Sequence, residues 1–263
     1  MLQRFVALAI LLMLMSVMAC GRKASEATPS ADVGSPSDTR ASFDPAKATA
    51  TLSGKVILDG PRPVPQPIQM SADPYCSSHA RNVVMPDSVV NADGTVPNVI
   101  VYVKSGMPAM LYPTPNEPIT IDQKNCQYAP HVFTIMTGQP LRIKNNDATM
   151  HNIHAWAEKN SPFNFGQPVE GLEATKTFDV PEMPLLIRCD VHSWMTAHVG
   201  VFNHPFHTVT GQTGTFAMKL LPGKYEIEAW HASYPPVTQM VEVGENGKTE
   251  ITFTLKRAPT ATN

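Results

Sequence analysis

Cys189, His192 and Met195 stand at intervals of three in the segment LLIRCDVHSWMTAHVG. A thiolate, an imidazole and a thioether together suit copper in both of its oxidation states. With nine histidines and fourteen methionines in 263 residues, chance places His at +3 and Met at +6 of a given cysteine roughly once in five hundred. Zinc would also accept a cysteine and histidines in a tetrahedral set, but methionine is a poor zinc ligand and a good copper one. A further imidazole is available upstream, at His151 in GQPLRIKNNDATMHNIHAW.

The other histidines read more blandly. His154 is an exposed or supporting group beside His151, and His131 is structural. His231 packs with Trp230 on a sandwich face, and His79 follows Cys76 too closely to a disulfide to be a ligand. His198, His204 and His207 are expected as solvent-exposed strand-end groups, with a second copper site among them left open. No G-x-S-x-G, H-E-x-x-H or glycine-rich phosphate loop is present, so the chain carries no recognisable hydrolase or nucleotide motif.

Such donors need rigid elements to hold them. β-branched runs bounded by Gly, Pro and Asn recur through the chain: TLSGKVIL, NVIVYVK, PITID, HVFTIM, PLRIKN, TKTFDV, LLIRC and AHVGVF, then GTFAMKLL, KYEIEAWH, TQMVEVG and TEITFTL. They read as strands. No long 3.6-residue period occurs after the first twenty residues, so an all-β body of sandwiches is expected. A net charge of −2 gives no reason to expect nucleic-acid binding or electrostatic attachment to lipid.

The N-terminus sets the compartment. MLQRFVALAILLMLMSVMAC has one arginine, a short apolar stretch and small residues at its end, the pattern of a signal peptide over 1–19. Its close, SVMAC, resembles a bacterial lipobox, which implies acylation of Cys20 and a lipid anchor as the only membrane attachment. Gly21 in place of an aspartate retention signal favours the outer membrane, on the periplasmic or outer-surface face of the cell envelope. Residues 20–47 are almost free of large apolar side chains and read as a disordered tether. Three further cysteines remain in an oxidising setting. With Cys189 kept as a ligand, Cys76 and Cys126 are expected to pair, the alternative being two buried thiols.

Two families are resembled. LSGKVILDG, NVIVYVK and TVTGQTGTFAMKLLPGKYEIEAWH resemble the transthyretin-like, carboxypeptidase-regulatory type of β-sandwich module. APHVFTIMTGQPLRIKNND, the histidine after it and the Cys-x-x-His-x-x-Met loop resemble cupredoxins of the amicyanin and pseudoazurin kind, over about a third of the chain. The resemblances imply a cupredoxin Greek-key sandwich at 117–204, inserted in or adjacent to a transthyretin-like sandwich made of 48–116 and 205–258. Two consecutive domains meeting near 205 are the other arrangement. The cupredoxin likeness makes His151, Cys189, His192 and Met195 ligands of one type 1 copper ion, with Asn145 and Asn152 bracing the loops. Met150 stands where that family commonly has proline.

The expected function is single-electron transfer between extracytoplasmic redox partners, without catalytic turnover. An apolar patch of Met150, Met183 and Trp194 around an exposed His192 would serve transient docking. Copper delivery, storage or sensing is the alternative, and a scaffold whose copper site has decayed is a third reading.

Overall fold

A computed structural model describes residues 38–257. The expected leader, Cys20 and its anchor, and residues 21–37 of the tether lie outside the described residues. Residues 41–47, expected in the tether, are ordered. Phe43 is buried, with its ring 5.4 Å from both Tyr112 and Phe206. Its N–H donates to Leu111 O, whose residue returns an N–H to Ala41 O. One aromatic residue in a polar stretch is enough to draw the chain onto the core. Among the described residues, no helix is long and apolar enough to cross a membrane.

The first half of the chain forms β1 (Ala50–Asp59), α1 (Pro74–His79), β2 (Ile100–Ser105), β3 (Ile119–Lys124), β4 (Gln127–Ala129), β5 (Val132–Met136) and β6 (Leu141–Asn145). Then follow β7 (His151–Trp156), β8 (Phe163–Gln167), β9 (Glu173–Lys176), β10 (Glu182–Arg188), β11 (Thr196–Phe202) and β12 (His207–Val209). The last four are β13 (Thr215–Leu220), β14 (Gly223–His231), β15 (Tyr234–Val243) and β16 (Lys248–Lys256). The described body is all-β apart from short helical turns.

The sheets join distant parts of the chain. One has the order β13-β1-β16 and faces a second, β12-β2-β14-β15. β1 runs antiparallel to β13 and parallel to β16, with Leu52 opposite Met218 and Val56 opposite Phe253. Their period-2 pattern buries Leu52, Val56, Phe216, Met218, Tyr225 and Ile227 in one core, as alternation on a half-buried strand requires. Gly54 lies opposite Ile251 of β16, and a Cβ there would run into the Ile251 carbonyl oxygen. Gly54→Ala is therefore expected to cost about 3 kcal/mol, the upper end of overpacking. An unchanged denaturation midpoint would refute that closeness.

The other two sheets, β5-β11-β10-β7-β8 and β4-β3-β6-β9, enclose a second core that includes Ile121, Ile135, Ile143, Ile153, Leu185 and Val199. TKTFDV is only partly strand: β9 ends at Lys176, and Phe178 reaches this core from the loop beyond. A smaller cluster of Ile100, Val132 and Phe202 joins the two sandwiches.

Residues 61–90 form an arm that the strand reading did not foresee. Ile68 N–H donates to Val83 O and Met85 N–H to Gln66 O, closing it on itself. Expected within the first sandwich, it instead packs Ile68, Met70, Tyr75, Cys76 and Val83 against the second core. Its tip is α1, which starts with the pair Asp73-Pro74. Asp73 Oδ1 accepts the Cys76 N–H at 2.9 Å, and Pro74 occupies the first turn, where no amide hydrogen is needed.

Candidate metal centre

Three strand ends deliver the donors. β7 begins at His151, β10 ends one residue before Cys189, and β11 begins one residue after Met195. β10 pairs with both neighbours, placing Arg188 opposite His154 on one side and Thr196 on the other. The loop between β10 and β11 closes tightly: Cys189 N–H donates to Met195 O at 3.0 Å, and Met195 N–H to His192 O at 2.9 Å.

Donor atoms of His151, Cys189 and His192 lie within 4.8 Å of one another, and all three residues are buried. The two Nδ1 atoms are 3.0 Å apart, and Cys189 Sγ is 4.0 Å from His192 Nδ1. Met195 is buried in the same core. Cys76 and Cys126 are disulfide-bonded, and Cys189 is a free, buried thiol.

Each imidazole is held from behind by a carboxylate. His151 Nε2 is 2.8 Å from Asp147 Oδ2, and His192 Nε2 is 3.0 Å from Asp73 Oδ2. A carboxylate accepts, so both Nε2 atoms carry hydrogen and both Nδ1 atoms turn lone pairs inward. The other oxygens of these carboxylates are engaged too. Asp147 Oδ1 accepts the Asn125 N–H, and Oδ2 accepts the Cys126 N–H as well as facing His151, each amide at 2.8 Å, which holds two residues with φ of 53° and 54°. A closed circuit results, from His151 through Asp147, Cys126, Cys76 and Asp73 to His192.

Asn145 is fully buried. It donates to Thr149 O and Gln167 O at 3.0 and 2.9 Å, and accepts the Asp147 N–H. Asn152 accepts the Asp190 N–H at 2.9 Å, while its own N–H points at Cys189 Sγ from 3.4 Å. A second N–H, from His192, reaches the sulfur at 3.3 Å. Burial pushes the Cys189 thiol up, but its contacts with the two imidazoles and these amides outweigh it and bring it down to about 6. Burial would lower the His151 imidazole, and Asp147 and Cys189 turn that into a rise; for His192 the Cys189 contact leads the rise.

Two inward lone pairs and a sulfur of thiolate character repel one another unless a cation lies between them. The 3.0 Å nitrogen separation fits an ion about 2 Å from each. The donor set suits copper, which His151, Cys189 and His192 could hold.

The expected docking patch is not formed. His192 is only 2% exposed, because the arm and Asp73 cover it. Trp194 is half-buried and donates to Cys126 O at 3.0 Å, and Met183 packs into the cluster between the sandwiches. Met150 is exposed, but the three do not surround an open ligand. His204 and the ring nitrogens of His207 are buried rather than solvent-facing, and burial lowers their pKa values to about 4 and about 3. His154 pairs with Asp190 at 2.9 Å, and His79 stacks on Tyr75.

Asp73 and Asp147 were missed in the sequence. Their signals are an Asp-Pro helix start and an aspartate four residues before His151.

No family model matches the chain. It is 40% identical over 68 residues to human carboxypeptidase D, a match covering 26% of this chain and 5% of that protein. Among solved structures it is similar to a purple cupredoxin from Nitrosopumilus maritimus, at 21% identity over 31% of this chain and 97% of that one, TM-score 0.27. An amicyanin mutant in its Cu(I) form aligns at 18% identity over 38% and 97%, TM-score 0.29. The copper-containing nitrite reductase of Thermus scotoductus SA-01 aligns at 18% over 37% of this chain and 25% of its own, TM-score 0.31.

Proposed function

We propose that this chain is a type 1 copper protein that passes single electrons between redox partners outside the cytoplasm, without catalytic turnover, tethered by lipid on Cys20. In this reading residues 117–204 are a cupredoxin domain inserted into a transthyretin-like one. The convergence of His151 Nδ1, His192 Nδ1 and Cys189 Sγ carries the proposal. A buried thiolate and two imidazoles fixed by carboxylates hold one geometry for both oxidation states, so little rearranges when an electron arrives. Metal analysis with an absorption spectrum after Cu(II) addition tests it: one copper per chain with an intense visible band is expected, and a pale protein would end the proposal.

Met195 supplies the weak contact that tunes the ion. Met195→Leu is expected to keep stoichiometric copper and shift its reduction potential, read by redox titration; loss of the copper would make Met195 a primary ligand.

One observation favours copper delivery or storage as the second reading. Burial of His192 under the arm closes the ligand edge where partners would dock. Fast reversible oxidation and reduction supports the carrier, and copper handed to an acceptor without a reversible couple supports storage.

A further inference from the structure

A second set of chelating side chains meets between the two sandwiches. Asp87 comes from the turn Pro86–Ser88 that ends the arm, His131 immediately precedes β5, and His198 lies in β11. One ligand-competent atom from each falls within 4.8 Å of the others. His131 Nε2 is 2.8 Å from Asp87 Oδ1, and His198 Nε2 is 3.5 Å from Oδ2. The side chains of His131, His198 and Asp87 are 9%, 16% and 18% exposed, shielded but still reachable by an ion.

The hydrogen bonds around them restrict what can sit there. His131 Nδ1 is 2.8 Å from Thr196 O, which only accepts, so that nitrogen carries the ring hydrogen. In the neutral ring, Nε2 then turns a lone pair toward a carboxylate. Burial would raise the Asp87 carboxyl, but its contacts with both histidines hold it well below the usual range, so it is an anion there. A lone pair against an anion needs a cation between them: a second ring proton or a metal. His231 adds a second observation. It is 1% exposed, its Nδ1 accepts the Ser233 N–H at 3.1 Å, and its Nε2 has no partner. It lies within electrostatic reach of Asp87, His198 and His131, and Ser233 Oγ donates to Asp87 O at 3.2 Å.

We propose that Asp87, His131 and His198 form a second metal site, separate from the Cys189 centre, for a divalent ion of the zinc or copper(II) class. Imidazole and carboxylate without thiolate select that class, and three protein ligands leave a position for water. The carbonyl that orients His131 belongs to Thr196, the residue after Met195, so the two centres adjoin along the backbone. A metal here staples the end of the arm to β5 and β11.

The test uses the full-length protein with its Cys189 centre filled by copper, or left empty if that centre takes none, and adds Zn²⁺ under equilibrium dialysis. Wild-type protein is expected to bind one equivalent more than the double variant Asp87→Asn/His131→Gln, with the visible band, where present, the same in both. Equal zinc stoichiometry in the two proteins overturns the site. If the variant fails to fold, the imidazole ¹⁵N resonances of wild-type His131 and His198 decide. Shifts saturating at one equivalent support the site, and resonances unmoved by excess Zn²⁺ overturn it.

Discussion

Cys189→Ser is expected to abolish the intense visible absorption of the copper-loaded protein while the far-ultraviolet β signal stays unchanged. The band requires a sulfur-to-copper transition, and Cys189 is the free thiol among the described residues. Serine presents a hydroxyl of high pKa where the fold has arranged two N–H groups and two imidazoles around a sulfur. Copper affinity falls with the colour, since the substitution removes the one anionic donor of the three. The sandwich itself survives, because Ile143, Ile153, Leu185 and Val199 close its core without the metal. A variant that keeps its band would show that another sulfur binds the ion.

The second large effect belongs to the disulfide. Cys76→Ser/Cys126→Ser is expected to destabilise the metal-free protein by about 4 kcal/mol, the chain-entropy value for the observed separation of 50 residues. In urea that is a midpoint shift on the order of 2 M. The loss reaches the centre as well. Asp73 lies three residues before Cys76, and Asp147 holds the amide of Cys126. Opening the bond therefore releases the arm from His192, and the variant should react faster than wild type with a copper(I) chelator. A midpoint within experimental error of wild type would show that α1 packs in place without its bond.

Period-2 alternation made β1, β13 and β14 legible, because a half-buried strand repeats its burial every second residue and Leu52, Val56, Phe216 and Ile227 do so. The donors Cys189 and His192 stood out because one loop supplies both, which fixes their spacing in sequence. What escaped depends on contacts between remote segments. Nothing local tells that Asp73 meets a histidine 119 residues later, or that Asp87 and His131 meet across 44. The arm escaped because its few apolar residues, Ile68, Met70 and Tyr75, follow neither period; they fit an irregular surface instead. An apolar patch of Met150, Met183 and Trp194 presupposes an open ligand edge, and α1 lies over that edge.

The pairing of Thr51 with Lys248 also puts the protein on a clock. At roughly 5–20 residues per second of synthesis, β1 waits on the order of 10–40 s for its parallel neighbour. Until β13 emerges, a strand with Leu52, Val56 and Leu58 on one face has neither of its strand neighbours, and until β16 emerges it has only one. It is the segment of the nascent chain most open to mispairing and the one a holding chaperone should occupy. The strands and arm that surround Cys189, residues 61–202, have all emerged before β13 begins at Thr215. The thiol can thus be enclosed while the N-terminal strand is still unpaired, and errors in chain closure need not cost the centre its ligands.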